Sequence, residues 1–205
     1  VLPSHTETEI KLWASDLAAV AARLAALGAQ LHSPRTAERN LRYDRSDGSL
    51  SAQGQVLRLR QDAAVRLTYK APHGDDPHTR TELEIGVSDF ETTHQLLQAL
   101  GYHVAWRYEK FRTTYWLDAC EIVLDELPFG DFVEVEGGSI TALEAVITRL
   151  GMADAPRFTQ SYSELFFSVR ERLSLPFRDL TFENFRHLAR ADLAHALLTE
   201  ADRTL

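Results

Sequence analysis

The sequence predicts an α+β protein in which antiparallel strands, charged on one face, are backed by amphipathic helices and followed by a helical C-terminal segment. Three observations predict it. Charged residues recur at every second position in segment after segment, the spacing of one strand face. Between these segments lie three stretches with apolar residues at helical spacing, each opening on serine and ending in glycine. Beyond Phe158 the alternation gives way to helical patterning.

The first strand is "TETEIKLW", residues 6–13, with Glu7, Glu9 and Lys11 on one face and Thr8, Ile10 and Leu12 on the other. Helix follows in "SDLAAVAARLAALG", with Ser15 as the expected cap and Gly28 as the stop. "ERNLRYDRSDGSL" alternates up to a turn at Asp47-Gly48, and "GQVLRLRQ" resumes with Arg58 and Arg60 on one face, so the two are expected as antiparallel neighbours. "AVRLTYKA" sets Arg66, Thr68 and Lys70 against Val65, Leu67 and Tyr69. "TRTELEIGV" sets Arg80, Glu82 and Glu84 against Thr81, Leu83 and Ile85. The loop "PHGDDPH" between them suits a solvated hairpin connection.

"SDFETTHQLLQALG" is the second helix, with Ser88 as the expected cap, and "SITALEAVITRLG" is the third, residues 139–151. Between those helices, "YEKFRTTYWLD" places Lys110, Arg112 and Thr114 on one face. "CEIVLDELPFGDFVEVEGG" supplies Asp125, Glu134 and Glu136. "SYSELFFSVRERL" and "TFENFRHLARADLAHALLTEAD" read as helices, whose Leu165, Phe166 and Phe177 must bury against this chain or a partner. The expected division is a strand-and-helix domain over 1–157 and a helical extension over 158–205.

Composition is ordinary for a globular protein, with 44% apolar and 25% charged residues among 205. A net charge of −8 argues against a general nucleic-acid surface. Cys120 stands alone, which excludes an intrachain disulfide and a cysteine zinc cluster, and its surroundings read as a buried strand. The eight histidines show no metal spacing. No apolar run approaches the roughly 20 residues of a membrane helix, and no charged-then-apolar leader is evident, so a cytoplasmic protein without membrane contact is expected.

The charged rows carry the functional signal. Polar strand positions are dominated by Arg, Lys and Glu, with acidic pairs at the two ends of the strand series and basic pairs in its middle. If the sheet curled with helices outside, these faces would converge on a wet, charged interior, since unpaired buried charges cost several kcal/mol each. Basic rows call for an anion bearing several charges, and clustered carboxylates call for a hard divalent cation. A phosphate chain with bound magnesium or manganese meets both demands.

The opening Glu7-x-Glu9-x-Lys11 row resembles the signature of the CYTH superfamily, the triphosphate tunnel metalloenzymes. The resemblance continues in order through "YDRSDGSL", "VLRLR", "LTYK", "RTELE", "EKFRTTY", "IVLDELPFGDFVEVEG" and "QSYSELF", from Thr6 to Phe167. It implies a closed eight-stranded antiparallel β-barrel, the tunnel, with helices outside. Residue by residue, Glu9 and Glu136 match the main metal ligands, for Mg2+ or Mn2+. Glu7, Asp125 and Glu134 match carboxylates that hold a second metal or position water. Lys11, Arg58, Arg60, Lys70, Lys110 and Arg112 match phosphate-binding cations, while Arg66, Arg80, Glu82 and Glu84 lie on matching rows. Glu7, Lys11 and Asp125 are the expected catalytic set. Tyr162 reads as a packing residue, and Trp116, in phase with Lys110 and Arg112, is placed toward a tunnel mouth.

The resemblance implies a metal-dependent phosphohydrolase acting on inorganic triphosphate or an organic triphosphate, thiamine triphosphate included. A class IV adenylyl cyclase uses the same rows, and a binding module without turnover is the reading from a different class. A homodimer through the C-terminal helices completes these expectations.

Overall fold

The computed structural model describes residues 8–73, 76–199 and 201. Among them the elements run β1 (Thr8–Ala14), α1 (Leu17–Ala26), β2 (Gln30–Arg45), α2 (Ser49–Ala52), β3 (Val56–Gln61), β4 (Val65–His73) and β5 (Asp76–Val87). Then come α3 (Phe90–Ala99), β6 (Tyr102–Leu117), β7 (Cys120–Leu127), β8 (Gly130–Gly137), α4 (Ile140–Leu150) and β9 (Arg157–Phe158). The helices α5 (Tyr162–Arg172), α6 (Phe182–Phe185) and α7 (Arg190–Leu198) close the chain. The fold is α+β, with an antiparallel sheet in the order β5-β4-β3-β2-β6-β7-β8-β1-β9. Nine strands stand where eight were expected, because Arg157 and Phe158 pair with Leu12 and Lys11 of β1.

The described chain divides into two compact units, and both long strands, β2 and β6, contribute to each. The first unit holds the residues up to Thr36, Lys110–Phe177 and the residues from Phe182 on. In β1 the expected alternation holds: Ile10, Leu12 and Ala14 join an apolar cluster with Ile122, Leu124, Val133 and Val135. Helices α1 and α4 cover it with Val20, Leu24, Leu143, Val146 and Ile147. Each such side chain, fully buried, contributes about 1.5–3 kcal/mol of transfer free energy.

Helix caps depart from expectation in an instructive way. In both Ser-Asp pairs the cap is the aspartate: Asp16 accepts from the Ala19 amide and Asp89 from the Thr92 amide. Each aspartate immediately precedes the first helical residue, the position from which a short side chain reaches the free amides of the first turn. Ser139, with no aspartate after it, does cap α4, and Gly151 ends that helix in the left-handed conformation. Helix α5 opens on a capping box between Ser161 and Glu164.

The C-terminal apolar side chains are covered within the first unit. Phe166 packs against Phe129 and Phe185, and Phe177 against Phe185. Helix α7 lies on β8, where a Cβ added at Gly130 would come within 3.2 Å of the Leu197 side chain. Cys120 is buried at the start of β7, as expected. No helix among the described residues is long and apolar enough to cross a membrane.

The second unit is Ala37–Glu109 with Arg178–Thr181. Leu41, Tyr43, Leu59, Phe90 and Leu97 form its core, with α3 on the apolar face of the strands. The β2–β3 connection is tied by Asp44, whose carboxylate accepts from the amides of Arg45, Leu50 and Ser51 and from the Ser51 hydroxyl. These bonds bring in the short helix α2, which the turn reading at Asp47-Gly48 did not foresee. β4 and β5 pair as the expected hairpin; Gly74 and Asp75 of its connection lie outside the described residues.

Candidate functional site

In the first unit, register decides which charges meet. β1 and β8 pair so that Glu9 faces Glu136 and Lys11 faces Glu134. On the other side of β8, β7 places Glu121 opposite Glu136 and Asp125 opposite Phe132. β6 then places Arg112 opposite Asp125. Opposed residues share a face, so one surface of four neighbouring strands carries Glu9, Lys11, Glu134, Glu136, Glu121, Asp125, Lys110 and Arg112.

Asp125 is the junction of this surface and has no solvent exposure. Lys110 Nζ donates to its Oδ2 at 3.0 Å, and Arg112 donates through Nε at 2.8 Å and Nη2 at 2.5 Å. The Tyr162 hydroxyl adds a fourth bond at 3.0 Å. Burial alone would raise this carboxyl; Lys110 and then Arg112 outweigh it and hold the group well below the usual range. Arg112 Nη2 also donates to Glu134 at 2.8 Å.

Lys11 sits between carboxylates, 3.4 Å from Glu9 and 3.5 Å from Glu134. It donates to the Gln160 carbonyl at 3.2 Å and lies 4.8 Å above the Tyr162 ring. The residues that begin α5 therefore rest against the charged face. Tyr162 was read as packing, and it does pack on Phe132, but its hydroxyl also orients Asp125. Burial, then Asp125 and Glu134, push its phenol well above the ordinary value. It is a neutral donor, not a base.

The Glu9–Glu136 end is less compensated: of its two carboxylates, Lys11 lies beside Glu9 alone. The Glu136 carboxyl is pushed up to about 7 by burial first, then by Glu9, Glu134 and Glu121. Glu9 is raised by burial and then by Glu134, against the opposing pull of Lys11. Three carboxylates on adjacent strands with an excess of negative charge fit a hard divalent cation in donor type and in charge. Among the described residues no three His, Cys, Asp or Glu side chains converge on one point as a finished ligand set, and Glu9 is engaged with Lys11. Glu7 lies outside the described residues. Glu121 was missed, although "CEIVLDEL" places it in phase with Asp125.

The second unit carries its own charged face. Arg42, Arg58, Thr68 and Glu84 occupy one register row, and Asn40, Arg60 and Arg66 the next. Arg58 Nη2 donates to Thr68 at 3.3 Å and lies 4.0 Å from Glu84. Arg60 bridges Glu38 at 3.4 Å and Asn40 at 2.9 Å. Arg66 pairs with Asp62 and Glu84, and Lys70 with Glu82 at 2.8 Å. Arg80 stands in β5 opposite Pro72. Glu38 and Asn40, both buried, were also missed, though "ERNLRYD" places them at alternate positions.

Trp116 shares the face of Lys110 and Arg112 and is 40% exposed, with His32 edge-on to its ring at 6.4 Å. Trp106 is buried in the second unit, its indole donating to the Arg178 carbonyl. Of the described histidines, His94 meets the Tyr43 hydroxyl through Nδ1.

On the polar sheet face of the first unit, carboxylates gather with two lysines and an arginine among them, donors suited in type to a cation and to an anion. The chain belongs to the CYTH family, whose domain model matches residues 5–148. A protein of Methanocaldococcus jannaschii provisionally named an adenylate cyclase is 29% identical over 133 residues, 63% of this chain and 75% of that protein. Similar solved structures include a provisionally named adenylate cyclase of Vibrio parahaemolyticus, with TM-score 0.66, 21% identity, and coverage of 78% of this chain and 97% of that one. The PH1819 protein of Pyrococcus horikoshii gives 0.60 and 25%, with 78% and 98% covered. A Hippeastrum protein, provisionally an adenylyl cyclase and described as having a dominant triphosphatase activity, gives 0.56 and 20%, with 80% and 96% covered.

Proposed function

We propose that this chain is a divalent-metal-dependent phosphohydrolase acting on inorganic triphosphate or an organic triphosphate, within the closed tunnel of its family. The observation that carries the reading is the facing pair Glu9 and Glu136, where burial and neighbouring carboxylates push the Glu136 carboxyl up, on the same sheet face as Lys11, Lys110 and Arg112. Glu9, Glu134 and Glu136 would hold Mg2+ or Mn2+, with Glu7 as a further carboxylate. Bound there, the metal supplies charge neutralisation and polarisation of a phosphoryl oxygen.

The chain's own residues do the rest. In the first unit Lys11, Lys110 and Arg112 bind phosphate oxygens, and in the second Arg58, Arg60, Arg66, Lys70 and Arg80 do; apart from Lys110 and Arg112 on Asp125, the described ones are held at present by carboxylates that a more densely charged anion displaces. Asp125 orients Lys110 and Arg112, so their donors stay aimed as charge develops on the phosphoryl oxygens. Water attacks the terminal phosphorus in line and the phosphoanhydride bond breaks, giving orthophosphate, with pyrophosphate leaving from inorganic triphosphate or the corresponding diphosphate leaving from an organic one.

A second reading has one observation in its favour. The exposed indole of Trp116 offers a stacking surface for a base, as an adenylyl cyclase acting on ATP requires. Product analysis with inorganic triphosphate and ATP in parallel, under magnesium and then manganese, separates the readings. Phosphate from triphosphate without cyclic AMP supports the hydrolase. Cyclic AMP with pyrophosphate supports the cyclase, and metal-dependent binding with neither product leaves a binding module.

A further inference from the structure

The charged face of the second unit contains one neutral side chain with an unspent donor. Asn40 is wholly buried, opposite Arg60 in the β2–β3 register. Its Oδ1 accepts from Arg60 Nε at 2.9 Å. Arginine has donors only, so chemistry fixes the amide's orientation, with the oxygen toward Arg60 and the NH2 turned away. That Nδ2 finds no acceptor among the described residues.

A neighbouring donor shares its condition. Arg58, one strand over and one register row along, has a buried Nε without an acceptor among the described residues. Its Nη2 is spent on Thr68, whose hydroxyl donates in turn to Glu84 at 2.7 Å. Native proteins leave few buried donors unpaired, because each forfeits its hydration without return. Two together, among Arg60 and Arg66, ask for an acceptor that carries negative charge.

We infer that Asn40 is a substrate-binding residue whose amide N–H donates, beside Arg58, to an anionic oxygen of the phosphate chain. The inference rests on the triphosphate reading above. Arg60 holds the amide in place, so Asn40 meets its ligand with its orientation already set.

The test is calorimetric titration of inorganic tripolyphosphate into wild type, Asn40→Asp and Asn40→Leu, with turnover followed in parallel and thermal melting to check the fold. Asp keeps an acceptor for Arg60 and loses the donor; Leu loses both without adding charge. Dissociation constants raised about tenfold or more in both variants are expected. Wild-type affinity in Asn40→Asp would reduce Asn40 to a support for Arg60 and overturn the inference. Wild-type affinity in Asn40→Leu would overturn it equally, since the amide would then be idle. Should Leu not fold, Asn40→Ala takes its place with the same criterion. Wild-type binding without hydrolysis would sink the hydrolase reading while the affinities still decide Asn40, and no binding by wild type would sink both.

Discussion

Replacing Glu136 with glutamine is expected to stabilise the metal-free protein above neutral pH. The Glu136 carboxyl stands at about 7 against an ordinary 4.5. A raised carboxyl keeps its proton in the folded chain where the unfolded chain has released it. Its contribution is therefore fully present below about 4.5 and lost as pH rises through about 7. At about 1.4 kcal/mol per pH unit the gap corresponds to roughly 3 kcal/mol. The side chain is only part-buried, and solvent screening reduces this to about 1–2 kcal/mol. A domain of this size shifts its melting temperature by about 2–4 °C per kcal/mol. The glutamine variant should then melt about 3–6 °C above wild type near pH 8 in chelator, and within about 1 °C of it near pH 5. Divalent cation at about a hundredfold over its dissociation constant should stabilise wild type by about 2.7 kcal/mol, and the variant by much less. Differential scanning calorimetry at both pH values, with chelator and then with manganese, reads all four quantities. A variant that melts at or below wild type near pH 8, or that keeps the full manganese shift, would refute the account of this carboxylate cluster.

Two further changes address the buried junction. Asp125→Asn leaves Lys110 and Arg112 facing a neutral amide in a fully enclosed place, and breaking such a pairing costs about 3–5 kcal/mol. A fall in melting temperature on the order of 10 °C is expected near neutral pH; a change under about 2 °C would show that the junction is not a stabilising one. Because the Asp125 carboxyl is held low, its contribution is present above the ordinary value of 3.8 and is lost as pH falls, so the variant's deficit should shrink under acid. Tyr162→Phe removes one bond to that carboxylate, at about 2 kcal/mol, and should leave the alkaline limb of the turnover profile unmoved; loss of that limb would mean that the phenol titrates in function.

The strands and long helices were legible because their periods differ and because the charged residues of each strand fall on one face. β1 shows it plainly: Glu9 and Lys11 on one side, Leu12 buried on the other. What a single strand does not carry is its register. Nothing in "IVLDELPF" says that Asp125 stands opposite Arg112, or that Lys110, Arg112 and Tyr162 close over it; those are facts about neighbouring strands and a helix 37 residues on. The same gap hid Glu121, which matters because β8 brings Glu136 beside it. Asn40 was passed over for another reason. A neutral amide in a row of charges looks like a solvated position until its burial is known. β9 was too short to show a period, and the Ser-Asp caps were misplaced by one residue because both residues are able to cap.

β1 lies between β8 and β9, so among the described residues it has no strand partner until residues 130–137 have been made. For that whole interval it is an unpaired edge with Ile10 and Leu12 on one side. Glu9 and Lys11 alternate with them, and charges at that spacing deter an exposed strand from joining its neighbours. The side chains proposed to grip metal and phosphate thus also put charge along an edge that would otherwise be open to pairing.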